Sequence, residues 1–217
     1  MKLTLLLLLA LLFETSVADP APGRVTSSPL MKTAYMEAKK ACRAAQPQRT
    51  FPLKKANGRI TIPTTKGPKV FKDVIVDEVA LQKGIGEEET LIHDYLGFLP
   101  EFHCHLLKLS YYETSEYLMI DEAGRQITLC GEPIFSPDMR YIVASSQGIE
   151  YGGGQANVIE LLELQKSGLR QIWKLEPKTW EPYRVCWASA TALLLSKVMW
   201  TGKNPGSTYT YARLVVH

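Results

Sequence analysis

The chain has 217 residues, which is enough for one domain or two very small ones. Its 25 basic and 22 acidic residues give a formal net charge of +3. The charges are mixed along the chain, and no run of Lys and Arg could follow a phosphate backbone. The composition therefore argues against a nucleic-acid partner.

The N-terminal residues predict a cleavable secretory signal peptide over residues 1–18. Lys2 provides a positive charge, Leu3 to Phe13 forms an apolar run, and Ser16-Val17-Ala18 supplies the small residues that signal peptidase needs. The run of about eleven residues is too short to span a bilayer, which takes about twenty. We expect cleavage after Ala18 and a periplasmic or secreted mature protein with no transmembrane span. A retained signal anchor is the alternative.

Residues 19–50 predict a flexible leader followed by an amphipathic helix. Pro, Gly and Ser are frequent in residues 19–29, and apolar side chains then recur at helical spacing over residues 30–45. Ser28 is a candidate N-cap, with Pro29 at the first helical position. We interpret this helix, the only convincing one of the mature chain, as packed against the body of the domain.

From residue 51 to residue 217 the sequence predicts an all-β domain. Short runs rich in Leu, β-branched and aromatic residues are separated by Gly, Pro, Asp and Ser. A first hairpin is predicted where Lys66-Gly67-Pro68 separates Arg59–Thr64 from Lys69–Val76. Together with the later runs, the pattern predicts about thirteen strands.

An internal repeat divides these strands into units. Ile120–Ile127 recurs in outline as Leu164–Ile172. Each segment is a strand, a turn closed by Gly124 or Gly168, and a second strand that contains Arg-Gln-Ile. Glycine suits such turns because it adopts positive φ at no steric cost.

A second repeat aligns the strand that contains Phe135 with the strand that contains Trp187, so we expect both aromatics at equivalent core positions. A period of about 40–50 residues with four strands per unit is typical of β-propeller blades, and residues 51–217 would hold about four. A β-sandwich is the alternative. Propeller blades pair only strands that are neighbours in the chain, whereas a sandwich crosses over between sheets.

One segment resembles a known repeat. Residues 135–141, Phe-Ser-Pro-Asp-Met-Arg-Tyr, are similar to the turn motif of TolB-like and WD40-like propeller repeats, with Met139 where Gly is usual. Residues 50–217 also resemble uncharacterised secreted proteins of Bacteroidetes, including the stretches at residues 95–100 and 180–182. The resemblance implies an exported β-propeller, small or incomplete, and carries no function over to this chain.

The four cysteines permit disulfides in an oxidising compartment. Three of them lie inside apolar, strand-like runs, where buried free thiols are equally compatible with the sequence. The sequence leaves the pairing open among Cys42, Cys104, Cys130 and Cys186.

No catalytic or cofactor motif stands out. The chain lacks Gly-x-Ser-x-Gly, Ser-x-x-Lys and His-Glu-x-x-His. In a strand, His103 and His105 would point to one face and could share a metal, with a third ligand from His93 or Asp94. Because this short pattern is weak, we favour strand histidines with no metal, and expect no cofactor.

Loop lengths predict a binding face. Tight turns would lie on one side of the strands, and the long connections Gln147–Gln155, Glu176–Tyr183 and Met199–Ser207 on the other, where the acidic loop Asp77–Thr90 could join them. Stability does not require loops of such length, so a role in recognition is expected. The candidate binding residues are Tyr151, Trp180, Trp200, Lys203 and Asn204.

These observations favour a non-catalytic binding or scaffold module of the cell envelope, with an unidentified protein or small ligand as its partner. A secreted hydrolase or metal-dependent enzyme built on propeller loops is the alternative. A purely structural envelope protein is the third class.

Overall fold

The computed structural model describes residues 24–148, 155–203 and 206–217. The predicted signal peptide and two of the candidate binding residues, Tyr151 and Asn204, lie outside these ranges. The described strands are β1 (Val25–Leu30), β2 (Arg59–Ile62), β3 (Lys69–Lys72), β4 (Leu91–Leu99), β5 (Cys104–Tyr111), β6 (Ser115–Asp121), β7 (Gln126–Leu129), β8 (Ile134–Phe135), β9 (Tyr141–Ser146), β10 (Val158–Gln165), β11 (Gly168–Leu175), β12 (Glu181–Ser189), β13 (Ala192–Trp200) and β14 (Ser207–Val216). The helices are α1 (Lys32–Lys39) and α2 (Glu78–Gln82), with 3₁₀ turns at Glu87–Glu89 and Pro100–Phe102.

The strands form three four-stranded antiparallel sheets and one two-stranded hairpin. Strands β4 to β7 make one sheet, β8 to β11 a second, and β12 to β14 a third that β1 completes. The hairpin is β2–β3. Every predicted strand from Arg59 onward is present, so the prediction of an all-β domain is confirmed. Every pairing within these sheets joins chain neighbours except that of β1 with β14.

Strand β1 corrects the prediction of a flexible leader. All six of its residues pair antiparallel with β14, from Val25 opposite Val216 to Leu30 opposite Tyr211. Pro29 is compatible with this position because β1 is an edge strand, where a missing N–H can face away from the sheet. The partner of β1 is remote in sequence, so local composition did not reveal the pairing.

The predicted helix is present but shorter at both ends. It begins after Met31, with no side-chain cap, because Ser28 and Pro29 belong to β1. Beyond Lys39 the chain leaves the helix to bond with two sheets. The Arg43 N–H donates to the carbonyl of Trp187 at 2.9 Å, and Ala45 N–H donates to Phe135 at 3.2 Å.

A second helix, α2, occupies part of the predicted acidic loop. The Asp77 side chain accepts a hydrogen bond from the Ala80 N–H at 2.8 Å, which caps the first turn. The helix has only five residues, too few for a periodic pattern in the sequence. Among the residues that the structure describes, no helix is long and apolar enough to cross a membrane.

The two repeated turns have the predicted backbone conformation. Gly124, between β6 and β7, has φ 77°, and Gly168, the first residue of β11, has φ 104°. Both turns join the third and fourth strands of a sheet. The turns are in contact, because the Arg125 guanidinium donates a hydrogen bond to the carbonyl of Ser167. Met139, which stands where the repeat motif usually has Gly, has φ 61° and so accepts a left-handed conformation that costs a non-glycine residue about 1 kcal/mol.

The core consists of apolar clusters between the sheets. Phe135 and Trp187 are both buried, as predicted, and each lies in an edge strand of its sheet, β8 and β12 respectively. Trp187 packs in the cluster of strands β9, β10, β13 and β14. Its indole N–H donates to the carbonyl of Ile134 at 2.9 Å and so connects two sheets.

The cysteines divide into one disulfide and two thiols. Cys42, beyond α1, is bonded to Cys186 in β12 across 144 positions of the chain. Burial raises the pKa of Cys104 and of Cys130 to about 12, with Asp121 and Glu160 respectively contributing in the same direction. These two thiols are therefore protonated at neutral pH, and the protonated thiol is the less nucleophilic form.

We expect Trp187→Ala to lower the free energy of unfolding by about 3–5 kcal/mol, because it empties a large buried site. Trp187→Phe keeps most of the volume but leaves the Ile134 carbonyl without its donor, which costs about 1–3 kcal/mol. Urea denaturation measures both. A loss under about 1 kcal/mol for the alanine variant would contradict the core assignment.

We expect the double variant Cys42→Ser, Cys186→Ser to have a free energy of unfolding lower by about 2–5 kcal/mol, because the disulfide closes a long loop in the unfolded chain. Reduction with dithiothreitol should destabilise the unaltered protein by a similar amount and leave the double variant unchanged. An equal response to dithiothreitol in both proteins would show that another cysteine pair is bonded.

Candidate functional site

Trp180, a predicted binding residue, makes most of its contacts within its own domain. Its half-buried ring packs against the core cluster that contains Trp187. The Lys197 Nζ atom lies 4.6 Å from the centroid of that ring, and the Trp180 carbonyl accepts a hydrogen bond from Asn157. The indole therefore stabilises the start of β12 and offers little free surface.

Trp200, in contrast, is 59% exposed at the end of β13. Alternation along the strand puts Leu193 and Leu195 on the core face together with Lys197, and Trp200 on the opposite face. The two predicted tryptophans thus lie at one end of the sheet but on opposite faces. Lys203 is exposed in the following turn.

Two exposed tyrosines extend the surface around Trp200. Tyr209 pairs with Val198, which lies two residues before Trp200 in β13. Tyr209 and Trp200 therefore lie on the same face of the sheet. Tyr183 and Tyr209 are 46% and 43% exposed, and their ring centroids are 5.3 Å apart in an edge-on arrangement. We refer to Tyr183, Tyr209 and Trp200 as the aromatic strip.

A cavity of about 430 Å³ adjoins the aromatic strip at Tyr183. Helix α1 contributes Tyr35 and Lys39, β12 contributes Tyr183–Cys186, and Ile134 and Ser145 complete the lining with Cys42. The helix is held in place because Tyr35 is buried, with its ring stacked on Tyr211 at 4.4 Å. The disulfide is therefore part of the cavity wall.

The cavity carries positive charge without compensation. Its lining contains Lys39 and Arg184 but no Asp or Glu, and neither cation forms an ion pair within the described parts of the chain. The Arg184 guanidinium lies 5.5 Å from the ring centroid of Tyr183. A ligand with a negative charge would find two cations available.

The Tyr35 hydroxyl is buried and has no hydrogen-bond partner among the described residues. Burial raises the pKa of Tyr35, and the Arg184 guanidinium offsets part of that rise. The hydroxyl is therefore a neutral donor at physiological pH.

The histidines do not form the shared face that a continuous strand would give. His103 lies before β5, at φ 49° after the 3₁₀ turn, with its side chain exposed. His105 is buried in β5, with its Nδ1 atom 2.9 Å from the Tyr95 hydroxyl. Burial lowers the pKa of His105. Within residues 24–148, 155–203 and 206–217, no group of three His, Cys, Asp or Glu residues could hold a metal ion.

A second cavity, of about 410 Å³, lies at the tight turns. Its acidic groups are paired internally. The Asp121 carboxylate is 2.5 Å from Arg125 Nε, and the Glu122 carboxylate is 3.4 Å from His103 Nδ1. Its lining also contains Lys166, so this cavity presents groups of both charges, unlike the cavity beside α1.

Comparisons of the chain with protein-family models, curated proteins and solved structures find no match. The resemblance to propeller repeats therefore stays a prediction. The sequence predicted Trp200 as a binding residue because it lies at a long polar connection. Tyr183 was included only as the end of the predicted connection Glu176–Tyr183, and Arg184 and Tyr209 were missed because they lie in strands. The closely spaced tyrosines of β14, Tyr209 and Tyr211, were the available signal for an aromatic sheet face.

We expect alanine substitution to lower the free energy of unfolding at Trp180 but not at Trp200. Trp180→Ala should lower the free energy of unfolding by about 1–3 kcal/mol, since a half-buried ring loses core packing. Trp200→Ala should change it by less than about 0.5 kcal/mol, as an exposed residue does. Equal losses in urea denaturation would contradict the assignment of the two rings to opposite faces.

Proposed function

We propose that the mature chain, residues 19–217, is an exported, non-catalytic binding module. Its recognition surface is the aromatic strip together with the cavity between α1 and β12. One observation carries this proposal: three exposed aromatic rings adjoin a cavity whose two cations have no described acidic partner.

The composition of this surface suits recognition. Large aromatic side chains provide much contact area with few torsions to immobilise, and they dominate the energetics of many interfaces. Small-molecule sites occupy roughly 300–1,000 Å³, and the cavity falls in that range. Because the rings of the strip are exposed, their burial in a complex would exclude water without any cost to the core.

The cysteines support an extracytoplasmic location. Disulfides persist in oxidising compartments and are rare in the cytoplasm, and Cys42 and Cys186 form one. The predicted signal peptide, with cleavage after Ala18, leads to the same compartment.

The proposed architecture is a small β-propeller-like stack in which the sheets are blades. Pairing of chain neighbours within each sheet and the equivalent turns at Gly124 and Gly168 support this arrangement. The pairing of β1 with β14 supports it further, because it brings the first and last described strands into one sheet. In this arrangement the recognition surface lies on the last blade.

The test is site-specific photocrosslinking in the cells that produce the protein. A benzophenone amino acid at position 200 or 209 should give a defined adduct, whereas one at Tyr112 should not. Tyr112 is a matched control because it is also an exposed tyrosine, 56% accessible, outside the recognition surface.

The double variant Trp200→Ala, Tyr209→Ala should then bind the crosslinked partner at least tenfold more weakly, about 1.4 kcal/mol, with an unchanged circular dichroism spectrum. Tyr112→Ala should bind within twofold of the unaltered protein. Adducts at position 112 as abundant as those at 200, or no adduct at either strip position, would overturn the proposed surface.

A further inference from the structure

The two cations of the cavity differ from comparable residues elsewhere in the chain. Lys40, the neighbour of Lys39, has its Nζ atom 2.5 Å from the Glu37 carboxylate. Arg140 donates two hydrogen bonds to Glu163, at 2.7 and 3.1 Å. Lys39 and Arg184 have no such partner among the described residues, and both line one cavity.

The rest of the lining is partly apolar. Ile134 and the Cys42–Cys186 disulfide provide surfaces without strong hydrogen-bonding groups, and the Tyr183 ring adds an aromatic wall. Water against such surfaces is released favourably when an apolar group replaces it. A bare inorganic anion would satisfy the cations but leave these walls in contact with water.

The polar groups at the cavity are donors suited to a carboxylate. A guanidinium offers a planar pair of N–H groups that matches the two carboxylate oxygens, and an ammonium adds a compact charge. Ser145 contributes a hydroxyl to the lining. Tyr35 also lines the cavity, and its buried hydroxyl has no hydrogen-bond partner among the described residues.

We propose that this cavity binds a small organic acid, with its carboxylate between Lys39 and Arg184 and its apolar body against Ile134 and the Cys42–Cys186 disulfide. The inference rests on the proposed function, since it names the ligand class for part of the same recognition surface. The cavity volume of about 430 Å³ is appropriate for a molecule of this size.

The experiment titrates the oxidised mature protein with 4-phenylbutyrate and follows backbone amides by ¹H–¹⁵N correlation spectra. We expect saturable shifts centred on Cys42, Ser145 and Arg184. The neutral analogue 4-phenylbutan-1-ol should bind at least tenfold more weakly, because it lacks the carboxylate. Inorganic phosphate should give no saturable shift at Ile134, because it has no apolar body.

Substitutions separate the cavity charges from general surface charge. Lys39→Gln and Arg184→Gln should each weaken 4-phenylbutyrate binding at least fivefold. Lys40→Gln removes the same charge from the next residue, the C-cap of α1 outside the cavity, and should stay within twofold. The unfolding midpoint of each variant in urea verifies that the fold is retained.

The proposal is overturned if no saturable shift occurs, if the acid and the alcohol bind equally, or if Lys40→Gln weakens binding as much as Lys39→Gln. If 4-phenylbutyrate does not bind but the Trp200→Ala, Tyr209→Ala variant still loses its crosslinked partner, the organic-acid ligand is wrong and the proposed function stands. If 4-phenylbutyrate binds as expected but the Trp200→Ala, Tyr209→Ala variant keeps its partner, the organic-acid site stands and the aromatic strip is not part of the recognition surface.

Discussion

The edge strand β12 is fixed at Cys186 and Trp187 by three different contacts. The indole of Trp187 donates to the Ile134 carbonyl in the neighbouring sheet, and the Trp187 carbonyl accepts from the Arg43 N–H. The adjacent Cys186 is covalently bonded to Cys42. One short stretch thus connects two sheets and the segment that follows α1, with a buried aromatic, backbone hydrogen bonds and a disulfide acting together. Because these contacts fix the position of β12, they also fix the side chains on its outer face.

The proposed ligand cavity is a direct result of that arrangement. Arg184 precedes Cys186 by two residues and lies on the same face of β12, while Lys39 is carried by the helix that the disulfide holds nearby. Two like charges at one cavity repel each other, and the favourable packing of Tyr35 on Tyr211 must exceed that repulsion. A bound anion would relieve the repulsion, so electrostatics that is unfavourable in the free protein becomes favourable in a complex.

The sequence patterns predicted the features of the fold that depend on neighbouring residues. The strands β2 to β14, the left-handed turns at Gly124 and Gly168, and the burial of Phe135 and Trp187 follow from alternation, turn chemistry and repeat spacing. Contacts between remote segments determine the rest. Whether Arg184 has an acidic partner depends on tertiary packing, and Trp180 lies against the core although its neighbours in sequence are polar. His103 shows how a strand that starts only at Cys104 removes the alternation on which a metal site would depend.

The pairing of β1 with β14 has a consequence for the order of folding. Ribosomal synthesis produces β1 first and β14 last, whereas the strands of the other sheets are made one after another and can pair as they emerge. Strand β1 must therefore wait, unpaired, until nearly the whole chain exists, and closing so long a loop carries a large entropic cost. Once that pair has formed, Val25 and Val216 are neighbours. A short linker could join them, and a circular permutant opened between β9 and β10 would make β1 and β14 consecutive strands, converting this long-range strand pairing into a hairpin.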